Sequence, residues 1–122
     1  MSLQLNPALD TAYLNQVYGD DASIVQIIFE AFLSDSLPRW EGLLAVLESE
    51  NLIDAASIVH GIKPSFTMAG LTEIRPKVEE LELAIHAETP TPDLIAHYHR
   101  ISEDINVIVP ILIEEADRLS KL

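Results

Sequence analysis

Apolar residues recur at three- and four-residue spacing along almost the whole chain, the pattern of amphipathic helices, and no segment carries the period-two alternation of a strand. A first short helix opens at Asn6-Pro7 or Asp10 and ends near Gly19, with Leu9, Tyr13, Leu14 and Val17 as its apolar face. Asp20 or Asp21 caps a second helix running to about Asp35, where Ser36 and Pro38 restart or kink it. The helix through Trp40, Leu43, Leu44 and Leu47 then ends near Glu50. A third long helix spans Leu52 to Ala69 and stops at Gly70. The next starts around Leu71 or Thr72 with Ile74, Val78, Leu81 and Ile85 on its apolar face, and Pro76 falls in its first turn. After the break at Thr89-Pro-Thr-Pro-Asp93, Thr91 is the expected N-cap and Pro92 the first residue of a last helix that Pro110 should bend. Short connections between long amphipathic helices predict one all-α domain over residues 1–122. Its expected form is an antiparallel up-and-down four-helix bundle with a short extra N-terminal helix laid across one end.

Two stretches depart from a simple apolar stripe. In Ala22 to Leu33, nine of twelve residues are apolar, more than one buried face requires. Such a segment is either a central helix touched on three sides or an apolar surface for a partner. The second departure is His60. With about 100° per residue, Leu52, Ala55, Val59, Ile62, Phe66 and Ala69 gather roughly 120° away from it, so the histidine points off the core stripe. Lys63, Pro64 and Thr67 lie on the same outward side. Phe66 reads as core and Gly70 as a helix stop.

Composition narrows the candidates. The chain has 122 residues, enough to bury a core without a metal or disulfide. It has no cysteine, so zinc–thiolate sites are excluded. The formal net charge is −13, from 20 acidic and 7 basic side chains. That balance argues against nucleic-acid partners and anionic membranes. No secretory signal or bilayer-length apolar run is visible, so a soluble cytoplasmic protein is expected. Glu79, Glu80, Glu82, Glu103, Asp104, Glu114 and Glu115 read as outward, solvated positions, and no carboxylate pair on the His60 face suggests a magnesium site.

The segment from His60 to Leu71 resembles the signature of the histidine-containing phosphotransfer (HPt) domains of bacterial phosphorelays. The matching positions are His60, Lys63, Ser65, Gly70 and Leu71, with apolar Ile62 and Phe66 at interior sites. The residue after the lysine is usually glycine in that family, and here it is Pro64. Proline removes the N–H that would bond the His60 carbonyl and lays a ring on the docking surface. The resemblance implies that His60 accepts a phosphoryl group from the phospho-aspartate of a receiver domain and returns it to another. It implies response-regulator receiver domains and a hybrid sensor histidine kinase as partners, and a monomer. This chain needs no cofactor of its own, Mg2+ being expected only in the partner receiver. The partner surface would be supplied by Ala56, Ser57, Pro64 and Thr67, with Ile28 and Phe32 from the apolar second helix. The alternative is an HPt-like interaction module that binds a partner and carries no phosphoryl group.

The chemistry suits the residues. A neutral imidazole is nucleophilic near pH 7, since its unperturbed pKa is about 6.5. The distal nitrogen projects furthest from the helix and is the expected point of attack. Lys63, one turn on, would lay its stem on apolar surface and hold its ammonium in water to offset phosphoryl charge. The chain has no glycine-rich phosphate loop, so it reads as a carrier and not a self-contained enzyme. His86 falls in the last turn of its helix. His97 and His99 point apart, and no Glu-x-x-His pair suggests a metal site.

Overall fold

The structure, a computed structural model, describes residues 3–122 and is all-helical over them. The elements are α1 (Thr11–Tyr18), α2 (Ala22–Ala31), a π-helical turn (Phe32–Ser36), α3 (Leu37–Glu48), α4 (Leu52–Met68), α5 (Arg75–His86) and α6 (Thr91–Ser120). Side-chain caps begin three of them: Asp10, Asp21 and Asn51 accept from the backbone N–H of Tyr13, Ile24 and Asp54 at 3.0, 3.1 and 3.1 Å. The expected start of the last helix moves by one residue. Pro90 stands at the cap, and Thr91 is already helical, its hydroxyl bonded to Glu50 at 3.0 Å. A turn over residues 72–74 separates Leu71 from α5, with Pro76 in the first turn as expected.

Of the restart or kink expected at Ser36 and Pro38, the restart does not occur. The helical path from Ala22 to Glu48 is continuous, and the turn before the proline widens so that the Leu37 N–H bonds the Phe32 carbonyl, five residues back. The extra residue in that turn absorbs the missing proline donor and resets the face that α3 presents. Trp40, Leu43 and Leu47 then point inward. Helices α4 and α6 likewise run on through Pro64 and Pro110, both of which face solvent.

The core is one cluster. Helix α2 packs on α6, α4 on α3 and α5, and α6 also meets α3 and α5. Trp40 is its hub. Its ring stacks on Tyr98 with centroids 4.7 Å apart, its indole N–H donates to the Ser102 hydroxyl at 3.0 Å, and its carbonyl accepts from Tyr98. Of the stripe expected for α4, Ala55, Val59, Ile62, Phe66 and Ala69 are fully buried and Leu52 is half-buried.

Helix α4 ends in a Schellman motif that fixes the position of the segment after it. The Leu71 N–H reaches back to the Phe66 carbonyl at 2.7 Å and the Gly70 N–H to that of Thr67 at 3.0 Å, with Gly70 at φ +80°. The Gly70 carbonyl then accepts from the Asp10 N–H, tying α1 to this end. A Cβ at position 70 would sit 2.7 Å from Leu14 Cδ1, so Gly70 answers both to backbone conformation and to space. Gly70→Ala is therefore expected to lower stability by roughly 2–4 kcal/mol, from the left-handed backbone and the overpacking together. A urea titration showing less than about 0.5 kcal/mol of loss would contradict this account.

Candidate functional site

His60 stands on the solvent face of α4, with Ile53, Ser57, Gly61, Pro64 and Met68 exposed along the same helix. The histidine side chain is 75% exposed. Its ring is nevertheless fixed. Glu82, projecting from α5, places one carboxylate oxygen 2.9 Å from His60 Nδ1 and the other 2.7 Å from Lys63 Nζ. With Nδ1–H donating to the carboxylate, Nε2 carries the free lone pair. This is the distal nitrogen expected to act. The tautomer and the orientation follow from one acidic side chain.

Glu82 corrects the sequence reading, which placed it among the solvated acids. Its side chain is only 9% exposed. On α5 it follows Val78 by four residues and adjoins Leu81, so it lies at the edge of the buried stripe rather than opposite it. That offset was the available signal. What the sequence of one helix could not give is the neighbour: the packing of α4 on α5 sets Glu82 against His60 and Lys63. Glu115 is a second such correction. It is buried because Arg118 bonds both its oxygens and the Asn6 N–H donates to one of them.

Lys63 is not held out in water as expected. Its side chain is 13% exposed, and its ammonium bridges Glu82 and, at 3.5 Å, Glu79. The Glu82 hydrogen bond holds the ammonium above its usual range. Burial pushes the Glu82 carboxyl up, but the hydrogen bonds from Lys63 and His60, with the charges behind them, outweigh it and leave the group below its ordinary 4.5. A carboxyl lowered in the folded state contributes stability above its unfolded value, lost as pH falls through the folded one. Glu115, lowered by Arg118, and Asp10, lowered by the Thr72 hydroxyl and the Tyr13 N–H, have the same sign. These carboxyls are thus expected to cost stability once pH falls below about 4.5, while His97, which burial holds below its ordinary 6.5, begins a smaller loss above that. A melting temperature still unchanged at pH 3 would refute it.

The expected partner surface is only partly assembled. Ser57 and Pro64 are exposed one turn either side of His60, and Ala56 is half-buried. Thr67 is half-buried and accepts from Arg75 at 2.8 Å, while the Ser65 hydroxyl donates to the Ile62 carbonyl. Phe32 is not on the surface at all. It is 2% exposed and meets Phe66 edge-on at 5.2 Å, because Val25, Phe29 and Phe32 form the inward face of their helical segment. The apolar second helix divides accordingly: Ile24 and Ile27 are exposed, Ile28 and Leu33 half-buried. Among the described residues no group of three or more His, Asp and Glu side chains is arranged to hold a metal ion, and no helix is long and apolar enough to cross a membrane. His86 brings its Nε2 to 4.0 Å from Glu82.

Comparison of the chain with protein-family models, curated proteins and solved structures gave no match. The functional reading therefore rests on the residues and their geometry.

Proposed function

We propose that the chain is a phosphoryl carrier of the HPt type, an antiparallel four-helix bundle with a short N-terminal helix, working in the cytoplasm between receiver domains. The observation that carries this is the His60 imidazole, tied at Nδ1 to a buried carboxylate and open to solvent at Nε2. In the forward step the Nε2 lone pair attacks the phosphorus of an aspartyl phosphate on a receiver. The N–P bond forms as the P–O bond to the donor aspartate breaks, and that aspartate leaves as a carboxylate. The Nδ1 proton stays in place, so the product ring is cationic and Glu82 offsets its charge. The reverse step delivers the group to a second receiver. Mg2+ belongs to the receiver in both directions, and a hybrid sensor kinase is the upstream donor.

The neutral strip around His60 supports protein docking. In a chain of net charge −13, the solvent-facing α4 residues within a turn of His60, namely Ser57, Gly61 and Pro64, are uncharged, and Asp54 is the exposed acid of that helix. The test is transfer from a 32P-labelled phospho-receiver. Label that is acid-labile and base-stable is expected on this chain. Binding of receivers with no label on any histidine would reject the carrier and leave the interaction module.

A further inference from the structure

A glycine in the middle of a helix costs about 1 kcal/mol relative to alanine and needs a reason. Gly61, the residue after His60, has one. A Cβ there would lie 2.7 Å from Arg39 Nη2 and 3.7 Å from Cζ, so the guanidinium of α3 rests on the bare backbone beside the histidine. Glu82 occupies one flank of His60 and Arg39 lies toward the other. Arg39 is also loosely held. Its nearest carboxylate, Asp35, is 3.5 Å away and 68% exposed, and the arginine side chain is itself 45% exposed.

The other cations near α4 are committed. Lys63 is bonded to Glu82 at 2.7 Å and Arg75 to Thr67 at 2.8 Å. Further off, Lys77, Arg118 and Lys121 sit within 3.0 Å of their own acids, and the exposed Arg100 stands on α6, which does not pack on α4. A phosphoryl group on Nε2 would add roughly two negative charges near Glu79 and Glu82. Its compensation must come from a cation free to move, and a guanidinium fork matches two phosphoryl oxygens.

We propose that Arg39 is the phosphoryl ligand of this site, parked across Gly61 in the free protein and turning onto the phosphoryl oxygens once His60 is modified. The proposal rests on the carrier reading and deepens it. It also gives the widened turn at Phe32–Ser36 a role, since that turn sets the face of α3 on which Arg39 lies.

The test uses the full chain phosphorylated with potassium phosphoramidate, which gives up its phosphoryl group with release of ammonia and needs no protein partner. The titration of the phosphoryl group is followed by 31P NMR in the wild type, R39A, R39K and G61A. The R39A midpoint is expected to rise by a few tenths of a pH unit, because the bound cation favours the dianion. R39K should recover part of the difference. G61A, whose methyl group displaces the guanidinium without removing its charge, should fall between wild type and R39A. With a phospho-receiver as donor, the transfer equilibrium should favour R39A roughly threefold to tenfold less than wild type. Phosphohistidine with equal midpoints and equilibria in all four proteins would overturn the proposal while the carrier reading stood. No phosphohistidine on wild type would overturn both.

Discussion

His60→Gln is expected to abolish phosphoryl acceptance completely and to leave the fold untouched. The lone pair of a carboxamide nitrogen is delocalised into its carbonyl, so glutamine offers no nucleophile at any pH near neutral. The side chain is largely in water and glutamine is a good helix former, so stability should stay within about 0.5 kcal/mol of wild type. The carboxamide can donate to Glu82 in place of Nδ1–H, which keeps the Lys63–Glu82 pair satisfied. Loss of label would therefore report chemistry and not unfolding. Receiver binding, proposed above to be carried by the face of α4 around His60, should persist. Residual label in the variant would place the acceptor elsewhere. His86 is the nearest candidate, but its Nε2 is turned toward Glu82, and it would have to react at Nδ1.

The parts of this molecule legible in the sequence are those fixed by a single helix. The inward stripe of α4, the outward direction of His60 and the stop at Gly70 each follow from local spacing or from one residue's conformational preference, while Asp10 and Asp21 were each one of two candidate openings. Contacts between helices were not legible. Glu82 sits on the margin of the α5 stripe, where periodicity alone assigns an acid to water. Only the packing of α4 against α5 turns that margin into a site, by supplying two donors for its two oxygens. Lys63 was misplaced for the same reason, its ammonium drawn inward by Glu79 and Glu82. Phe32 was misassigned through an abundance of apolar residues: with nine in twelve, the sequence does not say which face turns in. Arg39 could not be found from spacing at all, since it lies 22 positions before the glycine it covers.

Glu82→Gln should slow phosphoryl acceptance by roughly tenfold, although the change is nearly isosteric. The carboxylate accepts from two donors at once, Lys63 on one oxygen and His60 on the other. A carboxamide has a single acceptor oxygen. If the Lys63 ammonium takes it, the amide N–H2 faces His60 Nδ1 and selects the tautomer with hydrogen on Nε2, the nitrogen that must attack. The negative charge that offsets the cationic product ring is also lost. Glu79, 3.5 Å from Lys63, can take over part of that ammonium, which is why the effect should be about tenfold and not complete. The competition is testable by a second change. Lys63→Met in the Glu82→Gln background frees the carboxamide oxygen to accept from Nδ1–H and should restore much of the rate, whereas Lys63→Met alone should not raise it. Single-turnover transfer from a phospho-receiver measures all four proteins. Additive losses in the double variant would mean that Lys63 acts on the phosphoryl group directly and that its bond to Glu82 is incidental. A rescue would show that the buried carboxylate governs the histidine's tautomer and that the lysine decides which of its oxygens is free to do so.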